Sequence, residues 1–346
     1  YYWLMSLAVG EDTPYENICP RLRLLSALLF GPAFVIVLFC ALGAFLKIRW
    51  LHAALLSFIL INIPMFLAVA GSITNDTAAL LFSALAFLFM AYSRGRESLL
   101  PHTLMGAAAG LALLSKGTCL FLGPTILLFY ILERTPLPRR AAAAAACLAA
   151  TMAFAGWWYI RNIIVYGDPT GSSAMVGYFE ATSVNILEPR EFLRWNALLF
   201  THFWNPLNFL RNHVPGYLFE VNFYELFLTV LPFAGAAWYA IRKRSAAAAV
   251  SPGGWVMAAA LVVLWLAVFG NSFRIYMPTG RFFLSALVPI GYLWYRGFES
   301  LFPPRTRTAA LALMGLVLFA YNLYLIFHVF PPLPPMPFDA PFTLGG

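Results

Sequence analysis

The chain is 346 residues long, 62% hydrophobic and only 10% charged, where an ordinary globular domain carries roughly 25% charge. With a mean hydropathy of +0.78 it cannot be covered by a water-facing surface, which excludes a soluble enzyme, a disordered tail and a nucleic-acid binder. What remains is an all-α polytopic membrane protein, and its net charge of +8 reports topology rather than attraction to a polyanion.

Residues 1–20 carry Glu11, Asp12 and Glu16 ahead of the first apolar run. The chain begins at Tyr1 with no charged region before that run, so it reads as truncated or processed rather than signal-bearing. A helix needs about 20 apolar residues to cross the hydrocarbon. About ten runs approach this, at 24–46, 51–70, 77–92, 101–115, 118–132, 141–165, 222–241, 255–270, 282–298 and 308–330. Several are short, and these are expected to break or tilt beside a cavity.

The loops between the runs alternate in charge. Those after the odd-numbered runs hold Lys47/Arg49, Arg94/Arg96, Arg134/Arg139/Arg140, Arg242/Lys243/Arg244 and Arg296/Arg305/Arg307, which are 13 of the 22 basic residues. They hold only Glu97, Glu133 and Glu299 of the 14 acids. The positive-inside rule puts these loops in the cytoplasm. The outer face then receives the turn Gly71–Asp76, the turn at Lys116, the long loop 166–221, the turn Asn271–Arg281 and an extended Pro-rich tail, 331–346. The whole of 1–346 reads as one transmembrane domain, with loop 166–221 as an aromatic cap within it.

Four polar positions sit where the membrane tolerates them at a cost. Asp76 opens the third run; a helix-capping role and a role as base or sugar-orienting group both fit. Lys116 is alone in a stretch otherwise free of basic residues from Leu104 to Leu132; it either snorkels outward or faces inward to meet an anion. Arg161 closes Trp157-Trp158-Tyr159-Ile160, fitting an aromatic-belt anchor as well as a ligand contact. Arg281 opens the ninth run, where a guanidinium opposes the helix dipole unless it binds something negative; Arg274 in the same turn is a weaker candidate. The scattered Cys19, Cys40, Cys119 and Cys147 and five unspaced histidines give no metal site and no evident cofactor.

These segments together resemble the GT-C glycosyltransferase superfamily, in particular the protein mannosyltransferases and the lipid A aminoarabinose transferase. The likeness is carried by Tyr1-Tyr2-Trp3-Leu4 ("PPLYYWL"), Ser72–Asp76 with the helix after it, Leu113-Leu114-Ser115-Lys116-Gly117 ("LLTKG") and Gly280-Arg281-Phe282-Phe283-Leu284 ("GRYLLP"). Trp157–Asn162 with Tyr166-Gly167-Asp168-Pro169 adds "WWxxRNxxxYGDP".

The resemblance implies a bacterial inner-membrane enzyme that moves a sugar from a polyprenyl-phosphate carrier to an outward-facing acceptor. It further implies that Lys116, Arg281 and Arg161 hold the lipid phosphate, and that Asp76, the catalytic candidate, positions the sugar or the acceptor. The family's first helix, and the outer-loop acid taken as its base, would precede Tyr1. A divalent metal would enter only through ligands in that segment. The alternative from another class is a GT-C-derived, non-catalytic subunit of a larger membrane complex. A transporter fits less well, because an intramembrane acid or His relay is not evident.

Overall fold

The computed structural model describes residues 15–171, 186–204, 252–273 and 279–329, together with Ala237. Among the described residues every regular element is helical. Outside them lie Tyr1–Leu4, Glu11, Asp12, the run 222–241 apart from Ala237, Arg242/Lys243/Arg244, Arg274, the tail and most of loop 166–221.

The first apolar run is α1 (Tyr15–Leu46), which continues through Pro20 and Pro32. The second is broken into α2 (Trp50–Ile61) and α3 (Pro64–Ala70), bent by 73°. Pro64 explains the break: it supplies no N–H, restricts the residue before it, and starts a new helix at little cost. Next come α4 (Asp76–Ser93) and α5 (Leu100–Ser115), then a 3-10 turn (Gly117–Phe121) leading into α6 (Leu122–Leu132). Helix α7 (Leu137–Thr151) passes through a π-helical turn, Met152–Gly156, into α8 (Trp157–Tyr166). After α9 (Pro189–Trp204) and α10 (Pro252–Ser272), a 3-10 segment (Gly280–Ala286) precedes α11 (Leu287–Leu301), and α12 (Pro304–Tyr324) follows.

Among the described residues five helical stretches are long and apolar enough to cross a membrane: Ile18–Leu46, Asp76–Ser93, Leu137–Tyr166, Pro252–Ser272 and Pro304–Phe327. The bent pair α2–α3 makes a sixth if it is one span. Leu100–Ser115 and Gly117–Leu132 are apolar but shorter, so the full set of ten is not established.

The bundle has two chemically different ends. Helices α1 and α4 run parallel, since Ser26 meets Thr77 near their starts and Phe45 meets Phe87 toward their ends. The C-terminal end of α1 meets that of α11, where Arg296 donates to the Leu46 carbonyl. Arg94 lies against Gly253 at the start of α10. The described basic loops therefore collect at one end of the bundle, as their alternation along the chain requires. Asp76, Lys116 and Phe282 collect at the other.

Close helix contact depends on two glycines one turn apart on α5. A Cβ on Gly106 would lie 2.0 Å from the Cys147 carbonyl oxygen, and one on Gly110 would lie 2.9 Å from that of Thr151. The small-residue face lets α7 approach, and the Thr151 hydroxyl closes the gap by donating to the Gly106 carbonyl at 3.0 Å.

Candidate active site

At the end of the bundle opposite the basic loops, α5 stops at Ser115 and Lys116 adopts an extended backbone (φ −155°, ψ 130°) before the 3-10 turn. That break turns the lysine back into the protein. Its ammonium donates to Asp76 Oδ1, with side-chain exposures of 13% for the lysine and 6% for the aspartate. Thr74 donates its hydroxyl to the other oxygen, Asp76 Oδ2, at 2.9 Å. The Asn75 amide fastens the same turn to the end of α5 by donating to the Ser115 carbonyl.

Asp76 thus occupies the first turn of α4, where a negative charge suits the helix dipole. Its carboxylate is spent on Lys116 and Thr74 rather than on capping. Lys116 does not snorkel outward. Burial first, and then the positive charge of Arg281, depress its pKa from the usual lysine value. The touching carboxylate offsets that cost.

The ammonium lies 5.0 Å from the centre of the Phe282 ring, and the Arg281 guanidinium lies 5.8 Å from the centre of that same ring. Two cations thus flank one aromatic side chain. Arg281 belongs to the 3-10 segment, six residues before α11 begins, so the dipole of that helix bears on it less than the sequence implied. The segment is fixed by Gly280, where a Cβ would meet the Phe203 nitrogen at 2.2 Å and the Leu199 carbonyl oxygen at 2.4 Å on α9.

Arg161 is placed elsewhere. It is exposed, stacks over Trp158 at 5.3 Å and Tyr166 at 5.9 Å, and donates to Asn162 Oδ1 at 3.4 Å. This is the surrounding of a belt anchor. The structure therefore brings together Asp76, Lys116 and Arg281 and leaves Arg161 on the aromatic rim.

Lys116 opens onto a cavity of about 550 Å³ whose wall includes Thr118, Thr170, Asn271, Val268 and Phe282. A second, apolar cavity of about 340 Å³ is lined by Phe203, Trp204, Leu261, Trp265, Phe283 and Trp294, among others. The consecutive residues Phe282 and Phe283 line one cavity each, so the 3-10 segment and α10 wall both. An anion, a small polar group and an apolar chain could be accommodated side by side.

Three contributors were not singled out from the sequence: Thr74, Thr170 and Asn271. Thr74 sits in the Ser72–Asp76 segment, and Thr170 directly follows Tyr166–Pro169, so proximity to a motif was the available signal. Asn271 had only its place at the end of an apolar run. No group of three or more His, Cys, Asp or Glu side chains suited to a metal occurs among the described residues.

Residues 22–160 match the dolichyl-phosphate-mannose-protein mannosyltransferase family. No curated protein and no solved structure matches the chain. The matched segment contains Asp76 and Lys116, and, joined to an apolar helical bundle, it supports a GT-C superfamily membrane glycosyltransferase.

Proposed function

We propose that the chain transfers a sugar from a polyprenyl-phosphate donor to an acceptor hydroxyl on the outer face of a bacterial inner membrane. The reading rests on one observation above others: Lys116, held by Asp76 at the edge of a 550 Å³ cavity, shares the ring of Phe282 with Arg281. In this reaction the acceptor oxygen bonds to the anomeric carbon, the bond from that carbon to the phosphate oxygen breaks, and the lipid phosphate leaves with the electron pair. The acceptor proton passes to a base. A cation held at a sparsely hydrated position, as Lys116 is, stabilises the charge gathering on the leaving phosphate more than it would in bulk water, and the exposed Arg281 adds its charge from the wetter edge.

Lys116 and Arg281 have that role, and Asp76 fixes the lysine. The adjoining apolar cavity suits part of the isoprenoid, and Arg161 anchors the rim. The family matched over residues 22–160 is named for a dolichyl-phosphate sugar, and a polyprenyl phosphate is the same kind of lipid-borne anion. Loops bearing the arginine excess face the cytoplasm, which turns the cavity outward.

A non-catalytic, GT-C-derived subunit of a membrane complex is the second reading. It is favoured by one observation: both oxygens of Asp76 are already engaged by partners within the protein, Lys116 and Thr74. Transfer assays in proteoliposomes separate the two readings. Lys116→Ala and Arg281→Ala should each lower turnover by about 10²-fold or more with the bundle still folded. Unchanged turnover in both variants removes the phosphate-clamp assignment, and a wild type without turnover on any donor favours the second reading.

A further inference from the structure

Four separated stretches of chain meet at the larger cavity: the break at Lys116, the turn after α8, the end of α10 and the 3-10 segment at Phe282. The turn is built rigidly. Gly167 takes the left-handed conformation (φ 67°) that ends α8, and Gly171 takes it again (φ 68°). Asp168 accepts from the Thr170 backbone N–H at 2.9 Å and from the Thr170 hydroxyl at 2.8 Å. Asn162, only 1% exposed, donates its amide to the Pro169 carbonyl at 3.2 Å and ties the turn back to the helix. Thr170 is thereby held on the cavity wall, while the last turn of α10 places Asn271 on it from another direction.

We infer that Thr170 and Asn271 form a neutral, hydroxyl-recognising subsite for the sugar of a phosphate-linked sugar, beside the charged part of the cavity. The chemistry divides along the wall. An ammonium only donates, and it suits a phosphate oxygen. The Asn271 carboxamide can donate and accept, and the Thr170 hydroxyl, whose proton goes to Asp168, accepts; a sugar hydroxyl, donor and acceptor at once, suits both. Neither adds charge, so neither competes with Lys116 for the anion. A cavity of about 550 Å³ falls within the range of small-molecule sites. Asn162 is a positioning residue, acting through the turn that carries Thr170.

The inference rests on the phosphate reading above, and the test separates the two. Binding of a polyprenyl phosphate, bare or carrying a neutral hexose, is measured to the full chain in nanodiscs. The wild type should prefer the hexose-bearing lipid. Asn271→Ala, and independently Thr170→Val, should reduce that preference by about tenfold while leaving the affinity for the bare lipid unchanged. Thr170→Ser, which keeps the hydroxyl, should restore it. Asn162→Ala should move the preference in the direction of Thr170→Val, with little further loss when the two are combined. Equal losses for both lipids, or no loss for either, overturn the subsite. A wild type that binds both lipids equally overturns the subsite and leaves the phosphate reading intact. Binding of neither lipid by the wild type overturns both.

Discussion

The two ends of the bundle use the same ionic groups to opposite effect. At the basic end Glu299 is gripped twice, by Arg296 at 2.8 Å and Arg307 at 3.1 Å. His52 bridges helices nearby, with Tyr295 Oη at 2.8 Å and Thr308 Oγ1 at 2.9 Å. Another hollow at that end, beside Arg96, Glu97, Arg139 and Arg140, is only about 90 Å³. At the opposite end a buried pair, Lys116 with Asp76, faces a cavity of about 550 Å³. Ion pairs that join helix ends and fill their own space serve architecture. A pair that keeps a cation at the edge of an empty volume leaves that cation available to a ligand.

The sharpest way to break this contrast is to delete one member of the buried pair. Lys116→Ala leaves the Asp76 carboxylate buried without its cation, and should cost about 3–5 kcal/mol of stability. The double variant Lys116→Ala/Asp76→Ala should recover much of the loss, as read by thermal unfolding in detergent. Equal melting of single and double variants would show that the pair is not desolvated as described.

A smaller effect is expected from the wall between the cavities. Gly280→Ala forces a methyl against the Phe203 and Leu199 backbone, and should destabilise by about 1–3 kcal/mol. It should also move Arg281 and Phe282 and so weaken lipid-phosphate binding. Loss of stability with undiminished binding would detach the 3-10 segment from the site. The smallest effect belongs to the basic end. Glu299→Gln should cost about 0.5–1 kcal/mol, less in high salt, with lipid-phosphate affinity unchanged. A marked drop in that affinity would erase the distinction between the two ends.

How much of this could be read in advance follows from the range of each interaction along the chain. Apolar runs and the alternation of arginine-bearing loops are local properties, so the helical bundle and its basic end were legible. Lys116 was marked by its isolation in an apolar stretch, but its partner lies 40 residues earlier. No periodicity links a residue on one helix to the carboxylate that another helix brings beside it.

The bend at Pro64 is visible in the sequence as a proline within an apolar run, but its 73° angle is not. The spacing of Gly106 and Gly110 is a recognised signature of close helix approach and could have announced the contact with α7. Arg161 illustrates the opposite difficulty: its motif resembles a functional one, and only the geometry shows it resting on Trp158 and Tyr166.

The bend between α2 and α3 has a consequence for how the protein is made. Breaking a helix in hydrocarbon strips carbonyl groups of their usual partners, and lipid offers none in exchange. Here the Asn322 amide, on α12, donates to the Asn62 carbonyl at 2.8 Å. An early segment thus waits for a late one. Until the ribosome has delivered α12, some 260 residues downstream, the kink is chemically unfinished. Maturation of the second apolar run is thereby tied to completion of the bundle rather than to its own insertion.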